Sequence, residues 1–270
     1  MARYTILMTA CINPNGMPFT YLQDVNEREE QYIKAINHYL EHTNFDIVFC
    51  NNSGEDISDK IKTNTKRFEY LTFQGNSFDH HLGKGYGEMI ILKYALSHSQ
   101  FIKNSDYIIK ITGRLIVSNL IQSIYTTNLI WLFKKNKLYF TDINRDSKLI
   151  DSRCFIANKY FFERSIINGY KLNDFKEYYF EHLLFDEVNS FNMRNNVCLF
   201  YPNLAFLGIS GSTGVRYRPE KKTLLQKLSS FRDYCKVLKM EEGLSKPRYF
   251  YLSIISLFIR IVKIFVRRLS

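Results

Sequence analysis

Apolar runs and the polar breaks between them divide the first half of the chain into alternating strand-sized and helix-sized pieces. Tyr4–Ala10 is a short apolar run that reads as a buried strand, and Asn13-Pro14-Asn15-Gly16 with Pro18 marks a long turn after it. Asp24 then stands in front of a helix over Val25–His42. Its apolar or aromatic positions are Val25, Tyr32, Ile33, Ile36, Tyr39 and Leu40, while Glu27, Glu29, Glu30 and Lys34 fall mostly elsewhere. Residues 46–50 give a second strand and residues 68–73 a third. A glycine-rich stretch around Gly83, Gly85 and Gly87 precedes a helix over residues 86–99, and Tyr107–Thr112 reads as a central strand stopped by Gly113. This repeat predicts an α/β, Rossmann-like, mostly parallel sheet flanked by helices.

The second half is less regular. An apolar stretch spans residues 120–133, short strands are expected at 138–141, 152–157, 197–201 and 204–209, and an aromatic helix at 159–167. Residues 174–190 look helical and acidic, with Glu177, Glu181, Asp186 and Glu187 beside His182. A second glycine-rich loop runs over residues 208–214, followed by Arg216 and Arg218.

A chain of 270 residues with 46% hydrophobic and 16% aromatic content is large enough for one sizeable α/β domain with an extension, which excludes a disordered chain. The expected division is a catalytic domain over residues 1–218 and a basic helical extension over residues 219–270. The net charge of +11 points to an anionic partner, and the excess is terminal: after Pro219 there are twelve Lys and Arg against four Asp and Glu. Five scattered cysteines, Cys11, Cys50, Cys154, Cys198 and Cys235, form no zinc or redox motif and read as buried thiols of a reducing compartment. The N-terminus lacks the ordered regions of a secretory leader and reads as a first strand, so a cytoplasmic protein is expected.

Chemistry enters at the strand ends. In open α/β sheets ligands bind outside the carboxyl ends of the strands, where Arg114 is suited to hold phosphate or carboxylate, and a glycine-rich helix start such as that after Gly83 favours anions. Each of these features by itself is equally an ordinary loop or surface charge.

Together the residues resemble a family. The strand ending in Thr9-Ala10, the strand ending in Asn51-Asn52-Ser53, the segment Gly83-Lys84-Gly85-Tyr86-Gly87-Glu88 with its helix, and the strand ending in Thr112-Gly113-Arg114 look like bacterial GT-A-type glycosyltransferases, more narrowly those of capsule and O-antigen gene clusters. The resemblance covers roughly residues 3–216. It implies a GT-A-like fold in which Thr9, Asn51, Asn52 and Ser53 face the nucleotide, while Lys84, Gly85, Gly87, Thr112 and Arg114 face the diphosphate and donor sugar. Such enzymes commonly end that strand in an Asp-x-Asp that holds a divalent metal, and this chain has none. Either a divalent metal or fixed cations can neutralise the leaving group; fixed cations without a metal cofactor are the expectation, Arg114 with Lys84 and Arg216 as candidate helpers.

Glycosyl transfer also needs a base within reach of the acceptor hydroxyl, and Glu181, His182 and Asp186 are the candidates, with Glu181 preferred. Read singly, each is an ordinary helix charge. Asp151 and Arg153, after a polar loop, either bind donor-sugar hydroxyls or pair with each other. Adjacent His80 and His81 diverge and have no partner at metal spacing, so they are expected to hold no metal and at most to line the donor pocket.

The expected function is transfer of a sugar from a UDP-sugar to a lipid-linked or growing surface-polysaccharide acceptor. The alternatives are a non-catalytic nucleotide-sugar-binding protein and a nucleic-acid-binding protein, the latter disfavoured because no nucleic-acid motif is visible. Residues 252–269 are apolar except Ser253, Ser256, Arg260, Lys263, Arg267 and Arg268. On a helix, Ser256, Arg260, Lys263 and Arg267 form one narrow stripe, so the segment is expected to lie in the interface of the inner membrane's cytoplasmic leaflet rather than to span it. The other reading is a core or subunit-interface helix.

Overall fold

The computed structural model describes residues 2–61, 63, 65–131, 134–190, 196–219, 223–240, 250, 251, 253, 254 and 257. The chain divides into two compact units, Met1–Arg218 and Pro219–Ser270.

In the first unit β1 (Tyr4–Ala10) leads through α1 (Val25–His42) to β2 (Asp46–Asn51) and β3 (Phe68–Thr72). The chain returns through α2 (Gly83–His98) and the short α3 (Gln100–Lys103) to β4 (Tyr107–Thr112). There follow β5 (Ile116–Val117), α4 (Leu120–Ile130), β6 (Leu138–Phe140), the hairpin of β7 (Ile143–Asn144) and β8 (Leu149–Ile150), β9 (Cys154–Ala157), α5 (Lys159–Asn168), α6 (Phe180–Ser190), β10 (Val197–Leu199), β11 (Phe206–Ile209) and β12 (Arg216–Tyr217). Seven strands form one sheet in the order β10-β6-β9-β4-β1-β2-β3, in which only β9 runs against its neighbours. The α/β class with a mostly parallel sheet flanked by helices is as the pattern of strands and helices predicts.

Side chains alternate across this sheet and so sort the helices onto its faces. Val48 and Cys50 join the apolar cluster built from α2, α5 and α6, whereas Phe49 between them meets Tyr32 of α1 edge-on at 5.4 Å. Asp24 caps α1 as expected, accepting the Glu27 N–H at 2.7 Å. In β1, Thr9 is level with Cys50 of β2 and with Thr112 of β4, so three parallel strands end together.

Two elements differ from expectation. Helix α2 starts at Gly83, so the three glycines form its first turns rather than a loop before it. The 174–190 helix is broken: Asp174–Lys176 is a single tight turn, Glu177 takes a left-handed conformation (φ 56°), and α6 begins only at Phe180. Asn173 supplies the reason, since its side chain caps Lys176 and its backbone pairs with that of Tyr178.

The second unit contains α7 (Leu224–Met240). Helical residues beyond it expose Phe250, Tyr251, Ile254 and Leu257, each more than half accessible. Among the described residues no helix is long and apolar enough to cross a membrane. Ser256, Arg260, Lys263, Arg267 and Arg268 lie outside the described residues.

One hydroxyl joins α1 to the chain after β4. Fully buried Tyr39 donates to the Leu115 carbonyl at 2.9 Å and accepts the Val117 N–H at 2.8 Å. Tyr39→Phe leaves both backbone groups without their partner and is expected to lower unfolding free energy by about 2–3 kcal/mol, read as a shift in the urea midpoint.

Candidate functional site

A cleft of about 610 Å³ opens where β1, β2 and β4 end, lined among others by Thr9, Asn52, Thr112 and Arg114 from the strand ends and by Lys84, Gly85, Gly87 and Glu88 from α2. Its other walls come from Asp151, Ser152 and Arg153 before β9, from Asp174 to Glu181 in part, and from Ser210, Gly211 and Ser212 of the second glycine-rich loop.

The floor is organised by Lys110, a cation in the middle of β4 with no solvent exposure. A buried ammonium is tolerated only when paired and hydrogen-bonded. Lys110 pairs with Glu88 of α2, donates to the Ser152 carbonyl at 2.6 Å and to the Thr112 hydroxyl at 3.3 Å, and lies over the rings of Phe155 and Phe180 at about 6 Å. Glu88 in turn accepts the Thr9 hydroxyl at 2.9 Å. Ser152 continues the chain of contacts, donating its hydroxyl to Glu181 at 2.5 Å. Burial pushes the Glu181 carboxyl above the ordinary glutamate range, against the opposing Ser152 hydrogen bond.

Two guanidinium groups gather on the α1 side. Arg114 is 6% exposed, donates to Gln31 at 2.9 Å, and comes so close to Gly211 that a Cβ there would sit 2.3 Å from its Nη2. Arg28 is 5% exposed and donates to the Cys11 and Leu22 carbonyls and to the Tyr32 hydroxyl. Among the described residues no carboxylate stands within ion-pair distance of either. Burial lowers the Arg114 pKa from its ordinary value, with Tyr32 opposing the shift and the neighbouring Arg28 adding to it. Cys11 beside them is held as a thiol, its pKa pushed to about 11 by burial.

The start of α2 is filled by the chain itself. Asp174 accepts the Lys84 N–H at 2.9 Å, and Gly83 (φ 83°) has its α-carbon so near that a Cβ would lie 2.1 Å from the Asp174 Cγ. The positive end of this helix therefore holds an internal carboxylate rather than a ligand phosphate, and the glycine is required by close approach and positive φ. The anion at the glycine-rich helix start is, in this structure, a carboxylate of the chain itself.

Ten residues singled out from the sequence line the cleft: Thr9, Asn52, Lys84, Gly85, Gly87, Thr112, Arg114, Asp151, Arg153 and Glu181. Lys84 ties two loops, bonding the Phe19 carbonyl at 2.6 Å and the Ser212 hydroxyl at 2.5 Å. Asp151 and Arg153 form a two-pronged ion pair at 2.6–3.2 Å. Five others stand away from the lining. Asn51 is buried and shapes its own loop through Ile12, Ser53 and Glu55, while Ser53 bonds the Asn13 N–H. His182 receives the Tyr179 N–H and Asp186 the Tyr178 hydroxyl, both on faces of α6 other than the one Glu181 turns to the cleft. Arg216 is exposed on β12. His80 and His81 bond Asn76 and Asp79 and also lie off the lining. The sequence reading missed Arg28, Lys110, Ser152 and Asp174 and left Glu88 without a role. Arg28 and Lys110 did carry a signal, a charge on an apolar helix stripe and a charge inside an apolar strand.

The residues do not fit a divalent metal. Arg114 stands at the end of β4, the carboxylates nearby bond Lys110, Arg153, Ser152 and a helix start, and no group of three or more His, Cys, Asp or Glu among the described residues could hold one.

No family model and no curated protein matches the sequence. Solved structures resemble it at low identity. A protein assigned as a nucleotide-diphospho-sugar transferase from Desulfovibrio desulfuricans G20 aligns at 11% identity and TM-score 0.44, over 96% of this chain and 98% of its own. A cytidylyltransferase from Leptospira borgpetersenii serovar Hardjo-bovis aligns at 15% and 0.42, over 98% and 97%. The bifunctional glycosyltransferase WbbM aligns at 11% and 0.37, over 69% of this chain and 37% of its own. At TM-scores below 0.5 the function has to be read from the cleft itself.

Lys110→Met keeps the apolar contacts and removes the cation, stranding Glu88 and the Ser152 carbonyl. Unfolding free energy is expected to fall by about 2–4 kcal/mol, with Glu88→Gln/Lys110→Met recovering part of the loss in a double-mutant cycle by urea denaturation.

Proposed function

We propose that the chain transfers a glycosyl group from a nucleoside-diphosphate sugar, a UDP-sugar, to a saccharide hydroxyl, as a step in building a lipid-linked or growing surface polysaccharide. One juxtaposition carries the reading: the cleft at the strand ends joins two buried guanidinium groups lacking carboxylate partners, Arg28 and Arg114, to a half-buried carboxylate, Glu181. The acceptor proton passes to Glu181 as the acceptor oxygen bonds the anomeric carbon. The bond from that carbon to the phosphate oxygen breaks, and its electron pair leaves with the nucleoside diphosphate, whose charge Arg114 and Arg28 receive. Fixed cations do this without metal, so activity is expected to persist in EDTA.

Arg114→Ala is expected to weaken UDP binding about ten- to a hundredfold in a titration, and unchanged affinity removes the assignment. Glu181→Gln is expected to cut turnover by about two to four orders of magnitude with donor binding retained. The sign of the pH effect follows from the raised carboxyl: its basic form is lost at a higher pH than for a free glutamate, so wild-type activity falls as pH drops through that value. The glutamine variant should lack this limb.

The second unit supports a peripheral membrane role in one respect. Phe250, Tyr251, Ile254 and Leu257 recur at helical spacing and are exposed, as a helix seated in a lipid interface requires. Deleting residues 253–270 is expected to release the protein from anionic liposomes and leave UDP binding intact; a full-length chain that ignores such liposomes at physiological salt contradicts this.

A further inference from the structure

The segment from Asp174 to Glu181 leads along the cleft wall and ends on the carboxylate assigned as base. Its first part is a closed loop: Asn173 and Tyr178 exchange two backbone hydrogen bonds of 3.1 Å, Glu177 takes a left-handed turn, and the Asn173 side chain accepts the Lys176 N–H. This loop aims one residue inward and the next outward.

The inward residue is Asp174. It is 7% exposed and lines the cleft; one carboxylate oxygen takes the Lys84 N–H, the Gly85 N–H also faces the carboxylate, and Oδ1 makes no hydrogen bond of ordinary geometry among the described residues. A buried acceptor without a well-placed donor is costly, and its place on a cleft wall means that a ligand hydroxyl can supply the donor. The outward residue is Phe175, half exposed, with its ring 5.2 Å from that of Phe19 and 5.1 Å from that of His81. Phe19 also lines the cleft, remains 58% exposed, and has a positive φ of 55° with its carbonyl held by Lys84. A bulky residue in a backbone conformation that it rarely adopts thus leaves a phenyl ring exposed on the cleft lining. Tyr179 continues the same wall toward Glu181.

A pyranose matches both features. Its C–H face is apolar and flat enough to lie on an aromatic ring, and its rim carries hydroxyl donors. We propose that Asp174, Phe175 and Phe19 form a saccharide subsite that holds the acceptor sugar, the rings taking its apolar face and Asp174 Oδ1 a hydroxyl. The role as acceptor subsite rests on the glycosyl-transfer reading, because Glu181 is the base that it serves; the sugar-binding chemistry belongs to these three residues alone.

The test is saturation-transfer NMR of the full-length chain with a panel of methyl pyranosides, together with titration of UDP. At least one glycoside is expected to bind wild type. Phe19→Ala/Phe175→Ala, which removes only exposed rings, is expected to weaken that binding about tenfold with UDP affinity unchanged within about twofold. Asp174→Asn is expected to weaken it as well, with circular dichroism reporting on the α2 start that Asp174 caps. A panel with no binder, or a ring variant that binds glycosides like wild type, overturns the subsite. A ring variant that loses UDP affinity in the same proportion also overturns it, since the rings then serve the donor. Glycoside binding that follows the three residues in a protein that does not bind UDP leaves the subsite standing and removes the donor reading instead.

Discussion

A lysine ammonium buried in the middle of a central strand has to be neutralised from several directions at once, and the cleft of this protein is arranged around how that is done for Lys110. Glu88 comes from α2, the Ser152 carbonyl from the segment before β9, the Thr112 hydroxyl from the end of β4, and the rings of Phe155 and Phe180 from β9 and α6. Thr9 of β1 and Glu181 of α6 are tied in through Glu88 and Ser152. Five elements are thereby held in register at the strand ends, and the side chains proposed to do chemistry stand on their edges.

Around that centre the charges separate. Carboxylates collect toward α2 and α6, where Glu88, Asp174 and Glu181 share their surroundings with Lys84 and Lys110, whereas Arg28 and Arg114 collect toward α1 with no carboxylate between them. A cleft with cations lacking carboxylate partners on one side and the proposed base on the other suits a reaction that takes a proton at one end and releases an anion at the other. The α2 start, where the helix-terminal field favours an anion, faces a carboxylate of the chain, Asp174.

Much of this was legible in the sequence, for reasons that can be named. β1, α1 and β4 follow from runs of apolar residues whose period matches the element, and Arg114 follows from the rule that strand ends carry function. Asp174 was not legible, because its role depends on a contact with Lys84 ninety residues earlier in the chain, and no local pattern encodes it. The break at Glu177 was hidden by helix-forming neighbours; beyond it Glu181, inside the cleft, and His182 and Asp186, outside it, stand on different faces of the same helix. Arg28 falls on the stripe with Val25, Tyr32, Ile36 and Tyr39, and Lys110 falls among isoleucines. A charge at a position that the period assigns to the core is a sequence-level sign of a buried, functional cation.

The two guanidinium groups bond internally only to neutral groups, and a diphosphate is proposed to supply their counter-charge. Calorimetric titration of UDP against uridine on the wild-type chain tests it most directly. Two charge-assisted contacts predict that UDP binds at least about a hundredfold more tightly than uridine and that the gap narrows steeply in Arg28→Lys/Arg114→Lys. Equal affinities for UDP and uridine would contradict it.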